Sequence, residues 1–384
     1  MNKKNDIPLK WITCSFYFVF VILPDAERES KLRQNFARFL DCFVVGFLIY
    51  LISCDMYLAS RDLKDAPFGF MIFASIGDFT SLFMRVVLIR KRRCIGRMLR
   101  KTFALYRELD SSDKIRWHGK RLFAVFVISW ILPSILFAKS VIFDMSEGRS
   151  QLSQIYLFFG NDVHEKWSVA LILIINFLLN QQIYVLPGFC VGLCFYSYNI
   201  LAVIVQKVEK VLKKKSDLNT LFDMYLNLTQ KVTKCVNDIE HALSLLLLFV
   251  YSYIVSCIFI VITLLFKVPP HMIFTQYVLI NAITLVVTLM AFYAVSIQAV
   301  SVNKASVQVG RTIHNMCSNM LWPTDEKEDA VRIVLLIASD EFSSKILITG
   351  YNLFSLNQNF VLQTTGAIIS YGTVIAQLGT QKIY

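Results

Sequence analysis

The sequence predicts an all-α integral membrane protein with seven transmembrane helices, a cytoplasmic N-terminus, an extracellular C-terminus and helical cytoplasmic extensions. Three observations predict it: the composition, the lengths of the apolar runs and the placement of the basic residues. Of 384 residues, 56% are hydrophobic and only 17% are charged, and the mean hydropathy is +0.55. Soluble domains carry roughly 25% charged residues, so this chain lacks the polar groups to cover a globular surface. The 31 Phe and 16 Tyr point the same way, since aromatic rings suit lipid and the bilayer interface.

A helix needs about 20 apolar residues to cross the hydrocarbon core. Runs of that kind lie at 36–59, 66–89, 121–144, 167–200, 242–266, 272–300 and 345–378. The fourth and seventh exceed what a bilayer needs, so they tilt, break or project beyond it. A shorter run, Trp11 to Leu23, follows Lys3, Lys4 and Lys10, but Pro24, Asp25, Ala26 and Glu27 come next. With no small-residue cleavage site behind it, the run reads as an interfacial or re-entrant helix and not as a signal peptide.

The net charge is +12. Six basic residues precede the first span, and twelve lie between the second and third, opening with Arg90-Lys91-Arg92-Arg93. Seven more separate the fourth and fifth spans, and five the sixth and seventh. The opposite side holds only Arg61, Lys64, Lys139, Arg149, Lys166, Lys267 and Lys382. Cytoplasmic loops carry the Lys/Arg excess, which sets the orientation and removes nucleic acid as the reason for the charge. Seven spans with the N-terminus inside invert the arrangement of a G-protein-coupled receptor. The one sequon, Asn227-Leu228-Thr229, falls on the cytoplasmic side.

No linker or low-complexity segment divides the chain, so residues 1–384 form a single membrane domain. The stretches 201–241 and 301–345 read as cytoplasmic helical extensions. In the first, Leu218, Leu221, Tyr225, Leu228, Val232, Cys235 and Ile239 recur at helical spacing and mark an amphipathic helix. In the second, Val302, Val309, Ile313, Val331 and Leu335 stand among polar neighbours. Such faces either pack within one chain or join subunits.

Enzyme chemistry is not expected. The HExxH, GxSxG, GxGxxG and P-loop patterns are missing from the sequence, and no cofactor is implied. Cys190 and Cys194 share a helix face, but no second Cys/His pair completes a zinc set. The nine Cys lie mostly in or beside apolar runs, where a free thiol behaves as a small hydrophobe. The five His are scattered near membrane edges.

Ionisable residues inside spans are costly and mark functional candidates. Asp78, near the middle of the second span, either pairs with a neighbouring helix or serves gating or ligand binding. The outer portions of the third, fourth and sixth spans offer Ser134, Phe137, Trp167, Asn176, Asn180, Gln276, Tyr277 and Asn281. Aromatics with convergent amides suit a small-ligand pocket, and interhelical hydrogen bonding uses the same residue types. The last span, over Gln363–Thr373, is rich in small and hydroxyl residues. That face suits close helix packing or the lining of a wet pore.

Ser370-Tyr371, the five residues Gly372 to Ala376, and Gln377-Leu378 resemble a family signature. It is the Thr-Tyr-(five mostly apolar)-Gln-Phe motif that closes the last helix of arthropod gustatory receptors, with Gln-Leu common in the related odorant co-receptors. Gly350-Tyr351-Asn352-Leu353-Phe354-Ser355-Leu356 is similar to the start of that family's final segment. The resemblance covers the whole chain in architecture and its last part in motif. It implies a ligand-gated, non-selective cation channel of four subunits, with 345–378 as the pore-lining last helix. Val374, Gln377 and Leu378 match the gate region, Ser370 and Thr373 belong to the pore-facing set, and Tyr371 packs. The cytoplasmic extensions match the family's anchor, and its ligand pocket falls among the outer helix halves. Ser370 keeps the hydroxyl of the usual Thr, whereas Gly372 and Thr373 replace bulkier apolar residues and make the pore helix more flexible or more polar.

The expected function is a gustatory, chemosensory receptor channel, multi-pass in the plasma membrane. Its expected partners are a small-molecule tastant of the neutral class that includes sugars, permeant cations, membrane lipid and copies of itself or related subunits. The alternatives are a metabotropic seven-helix receptor, which the charge placement opposes, and a transporter, for which no inverted repeat is visible.

Overall fold

A computed structural model describes residues 31–62, 68–109, 185–214, 218–267, 276–319 and 326–380. The helices are α1 (Lys31–Asp62), α2 (Phe68–Leu109), α3 (Leu186–Leu212), α4 (Leu218–Lys267), α5 (Gln276–Asn319), α6 (Glu326–Lys345) and α7 (Gln358–Thr380). A two-stranded antiparallel hairpin, β1 (Thr349–Gly350) and β2 (Phe354–Ser355), joins α6 to α7. The Trp11–Leu23 run, the 121–144 span and the first part of the 167–200 span lie outside the described residues. Among the described residues, three helical stretches are long and apolar enough to cross a membrane: Leu186–Leu212, Leu218–Thr263 and Ala282–Ser318.

Several helices run on past the apolar stretch that starts or ends them. α4 has 50 residues, which at 1.5 Å per residue is about 75 Å, more than twice a hydrocarbon core of about 30 Å. Its amphipathic half therefore continues directly into the apolar 242–266 run. Leu218, Leu221, Tyr225, Leu228, Val232, Cys235 and Ile239 are all buried, so the helical spacing does mark one packed face. Val302, Val309, Ile313 and Leu335 are buried as well.

The charged half of α2 packs antiparallel along α4. Phe83 stacks on Phe249 at 5.3 Å, Lys101 pairs with Asp238 at 2.6 Å, and Lys231 with Glu108. The partners fall on one register, one chain rising as the other descends. The aromatic stack holds the apolar end of the seam, and the ion pairs, worth about 1 kcal/mol or less each, lie toward its charged end. α6 closes the same end: the Tyr225 hydroxyl donates to the Ala338 carbonyl at 3.0 Å, and its ring meets Phe342 edge-on.

The 345–378 run is not one helix. α6 ends at Lys345 and α7 begins at Gln358; between them the chain reverses at Tyr351 and Asn352, both in the left-handed region at φ 52° and 59°. Successive positive φ values are what a tight antiparallel hairpin turn needs, and Leu353 N–H closes it on the Gly350 carbonyl at 3.0 Å. An added Cβ at Gly350 would collide with the Phe354 ring, so a larger residue there has to displace that ring from its stack on Phe360. The hairpin is tied to α4 by Glu240, whose carboxylate accepts from Thr349 N–H at 3.0 Å and from the Thr349 hydroxyl. Asn357 then caps α7, its Oδ1 accepting from Phe360 N–H at 2.8 Å.

Candidate functional site

The candidate pore helix α7 is seated by one face. Phe360 stacks on Phe354 at 4.8 Å and meets Tyr251 edge-on at 5.6 Å. Tyr251 is itself buried among Phe292, Phe354 and Phe360, and shares a 2.6 Å hydrogen bond with Ser296. Further along, Thr365 shares a hydrogen bond with the Tyr293 hydroxyl of α5 at 3.0 Å. Tyr371 lies on Phe259 with centroids 4.2 Å apart, and its hydroxyl is 3.1 Å from the Thr263 hydroxyl of α4. Tyr371 therefore sits against α4.

The opposite face is solvent-exposed in the single chain. Leu362, Gln363, Gly366, Ile369, Ser370, Thr373, Val374 and Gln377 are exposed, recurring every three or four residues along more than four turns. Among the described residues, nothing stands within 4 Å of a Cβ placed at Gly366 or Gly372. Thr373 turns its hydroxyl back to the Ile369 carbonyl at 2.9 Å, which satisfies it without a partner helix. A stripe that mixes Ser, Thr, Gly and two Gln with Leu, Ile and Val is poorly suited to lipid alone, because buried amides need hydrogen-bond partners. It suits contact with water or with another helix approaching closely. Leu378 belongs to α7, but its side chain is outside the described residues.

Ser134, Phe137, Trp167, Asn176 and Asn180 lie outside the described residues, and Gln276, Tyr277 and Asn281 stand on the first turns of α5 with side chains not described. Asp78 is half-buried on α2, within electrostatic reach of Cys257 on α4. Asp41 bonds Arg92 at 3.0 Å and so ties α1 to α2. Two features escaped sequence reasoning: the Glu240 clamp on the hairpin, and the Tyr251 ring cluster under the start of α7. The sequence signals for the hairpin were Gly350 and Asn352, one at a close approach and one at a positive φ.

Against known proteins, no family model and no curated protein matches the chain. Solved structures do. The insect olfactory receptor OR5 from Machilis hrabei, in complex with eugenol, superposes with a TM-score of 0.70 at 13% identity, covering 98% of this chain and 100% of that one. Another structure of the same receptor gives a TM-score of 0.57 at 14% identity, covering 96% of this chain and 97% of that one. At these identities the likeness is one of fold: the chain has the helical fold of an insect olfactory receptor along almost its whole length.

Proposed function

We propose that the chain is a subunit of a ligand-gated cation channel of the insect chemoreceptor type, gustatory in its subfamily, in which α7 lines the pore. The observation that carries this reading is the bare, hydroxyl-rich face of α7 on a chain whose whole length follows the fold of an insect olfactory receptor. The Ser370-Tyr371 to Gln377-Leu378 motif favours the gustatory branch. Four copies arranged about an axis cover the stripe and leave Ser370, Thr373 and Gln377 facing the permeation path. Val374, Gln377 and Leu378 stand near its external end as the gate, where a hydrophobic constriction closes by dewetting.

The ligand in this reading is a small molecule held among the outer helix halves, with Asp78, Ser134, Phe137, Trp167, Asn176, Asn180, Gln276, Tyr277 and Asn281 as candidate contacts. A small-molecule ligand is supported by the eugenol complex of the solved receptor. Binding displaces α4, and Tyr371 on Phe259 and Thr263 carries that displacement to α7. The N-terminus is cytoplasmic, and the charged helix ends form the anchor between subunits.

The test is whole-cell current in cells expressing this chain alone, over a panel of sugars, bitter compounds and volatile phenols. The reading expects an evoked cation current that persists in excised patches without nucleotides and is abolished by Thr373→Lys. An evoked response that requires G-protein signalling, together with a surface-accessible N-terminal tag, would overturn it.

A further inference from the structure

At the charged end of the α2–α4 seam, two chemistry-bearing side chains meet that the channel reading does not use. Cys94 Sγ lies 3.3 Å from His241 Nδ1. The pair is fixed from the sides: Lys91 Nζ donates to the His241 carbonyl at 2.7 Å, and the Lys101–Asp238 pair holds the register about two turns along. Cys190, Cys194, Cys235 and Cys317 are buried, whereas Cys94 is half-buried and His241 is exposed. Arg90, Lys91 and Arg97 stand three or four residues from Cys94 along α2, on the neighbouring turns of its own helix face. A partly exposed thiol amid positive charge is the setting of reactive cysteines. A nucleophile within hydrogen-bond reach of a base is the geometric signature of an activated one.

We propose that Cys94 is a covalent modification site for soft electrophiles of the α,β-unsaturated carbonyl class, with His241 as the base that takes the thiol proton. The proton passes from Sγ to Nδ1, which requires the imidazole tautomer protonated at Nε2. The thiolate electron pair forms a carbon–sulfur bond at the β-carbon of the electrophile, and the alkene π pair moves toward the carbonyl to give an enolate. The enolate α-carbon then takes a proton back from the imidazolium. The S–H has added across the double bond, and nothing is oxidised or reduced. The next residue along from this base is Glu240, which holds the hairpin ahead of α7.

The full-length chain in membranes, exposed briefly to N-ethylmaleimide and read cysteine by cysteine by mass spectrometry, tests this. Cys94 is expected to react at least tenfold faster in the folded chain than in the same chain unfolded in denaturant at the same pH. His241→Gln is expected to remove that acceleration while Cys190 and Cys194 stay protected, which reports that the fold persists. A folded-state rate at Cys94 equal to or below the unfolded one overturns the proposal. So does a His241→Gln chain, still folded, that reacts as fast as its parent. The labelling needs no current, so its failure leaves the channel reading standing.

Discussion

α3 and α7 are apolar helices of similar length, 27 and 23 residues, and the chain treats them in opposite ways. α3 buries residues all round, from Leu186 to Leu212, wedged between α2, α4 and α5. Of the α7 side chains described, Ile368 alone is buried. A helix that is apolar on every side belongs in a core, and α3 finds one inside a single chain. α7 carries a stripe of glycine, hydroxyl and amide groups on the side away from α4 and α5, and a single copy leaves that stripe unfinished. In the proposed channel, the difference separates what one chain completes by folding from what assembly would cover.

The comparison is broken most strongly by paired truncations. Leu193→Ala on α3 removes a fully enclosed side chain and is expected to cost about 2–5 kcal/mol, read as a lower unfolding temperature of the purified protein. Ile369→Ala on α7 is expected to stay within about 0.5 kcal/mol by the same measurement in dissociated chains. Equal losses at the two sites would remove the contrast.

Glu240→Ala probes the strap between the two regions. It leaves Thr349 N–H and hydroxyl without their charged acceptor and is expected to cost about 1.5–3 kcal/mol, accompanied by faster proteolytic cutting between α6 and α7. A variant cut no faster than its parent contradicts the clamp. Tyr251→Phe is the finest probe, since the ring cluster stays and only the bond to Ser296 goes. A loss of about 1 kcal/mol in thermal or denaturant unfolding is expected, with little change at the bare face of α7.

The sequence reveals most where one residue's neighbours lie three or four positions away. The stripe from Leu218 to Ile239 shows in its spacing and is buried to the last member. Tyr371 lies on Phe259 of α4. What stayed hidden is what depends on distant partners or on backbone sign. Glu240 and Thr349 are separated by 109 positions and Cys94 and His241 by 147, so no periodicity announces them. The hairpin inside 345–378 is apolar enough to pass for helix; the positive φ at Tyr351 and Asn352 turns the chain, and the Asn357 cap starts the helix that follows.

The central claim is that the bare face of α7 meets other copies of the chain while its packed face does not. Cysteines placed at Thr373 and at Tyr371, one variant each, distinguish the two faces when membranes holding the full chain are oxidised and separated without reductant. The account expects disulfide-linked dimers from Thr373→Cys beyond those of the parent chain, and none from Tyr371→Cys. Equal cross-linking from both, or a Thr373→Cys chain that stays monomeric, would contradict it.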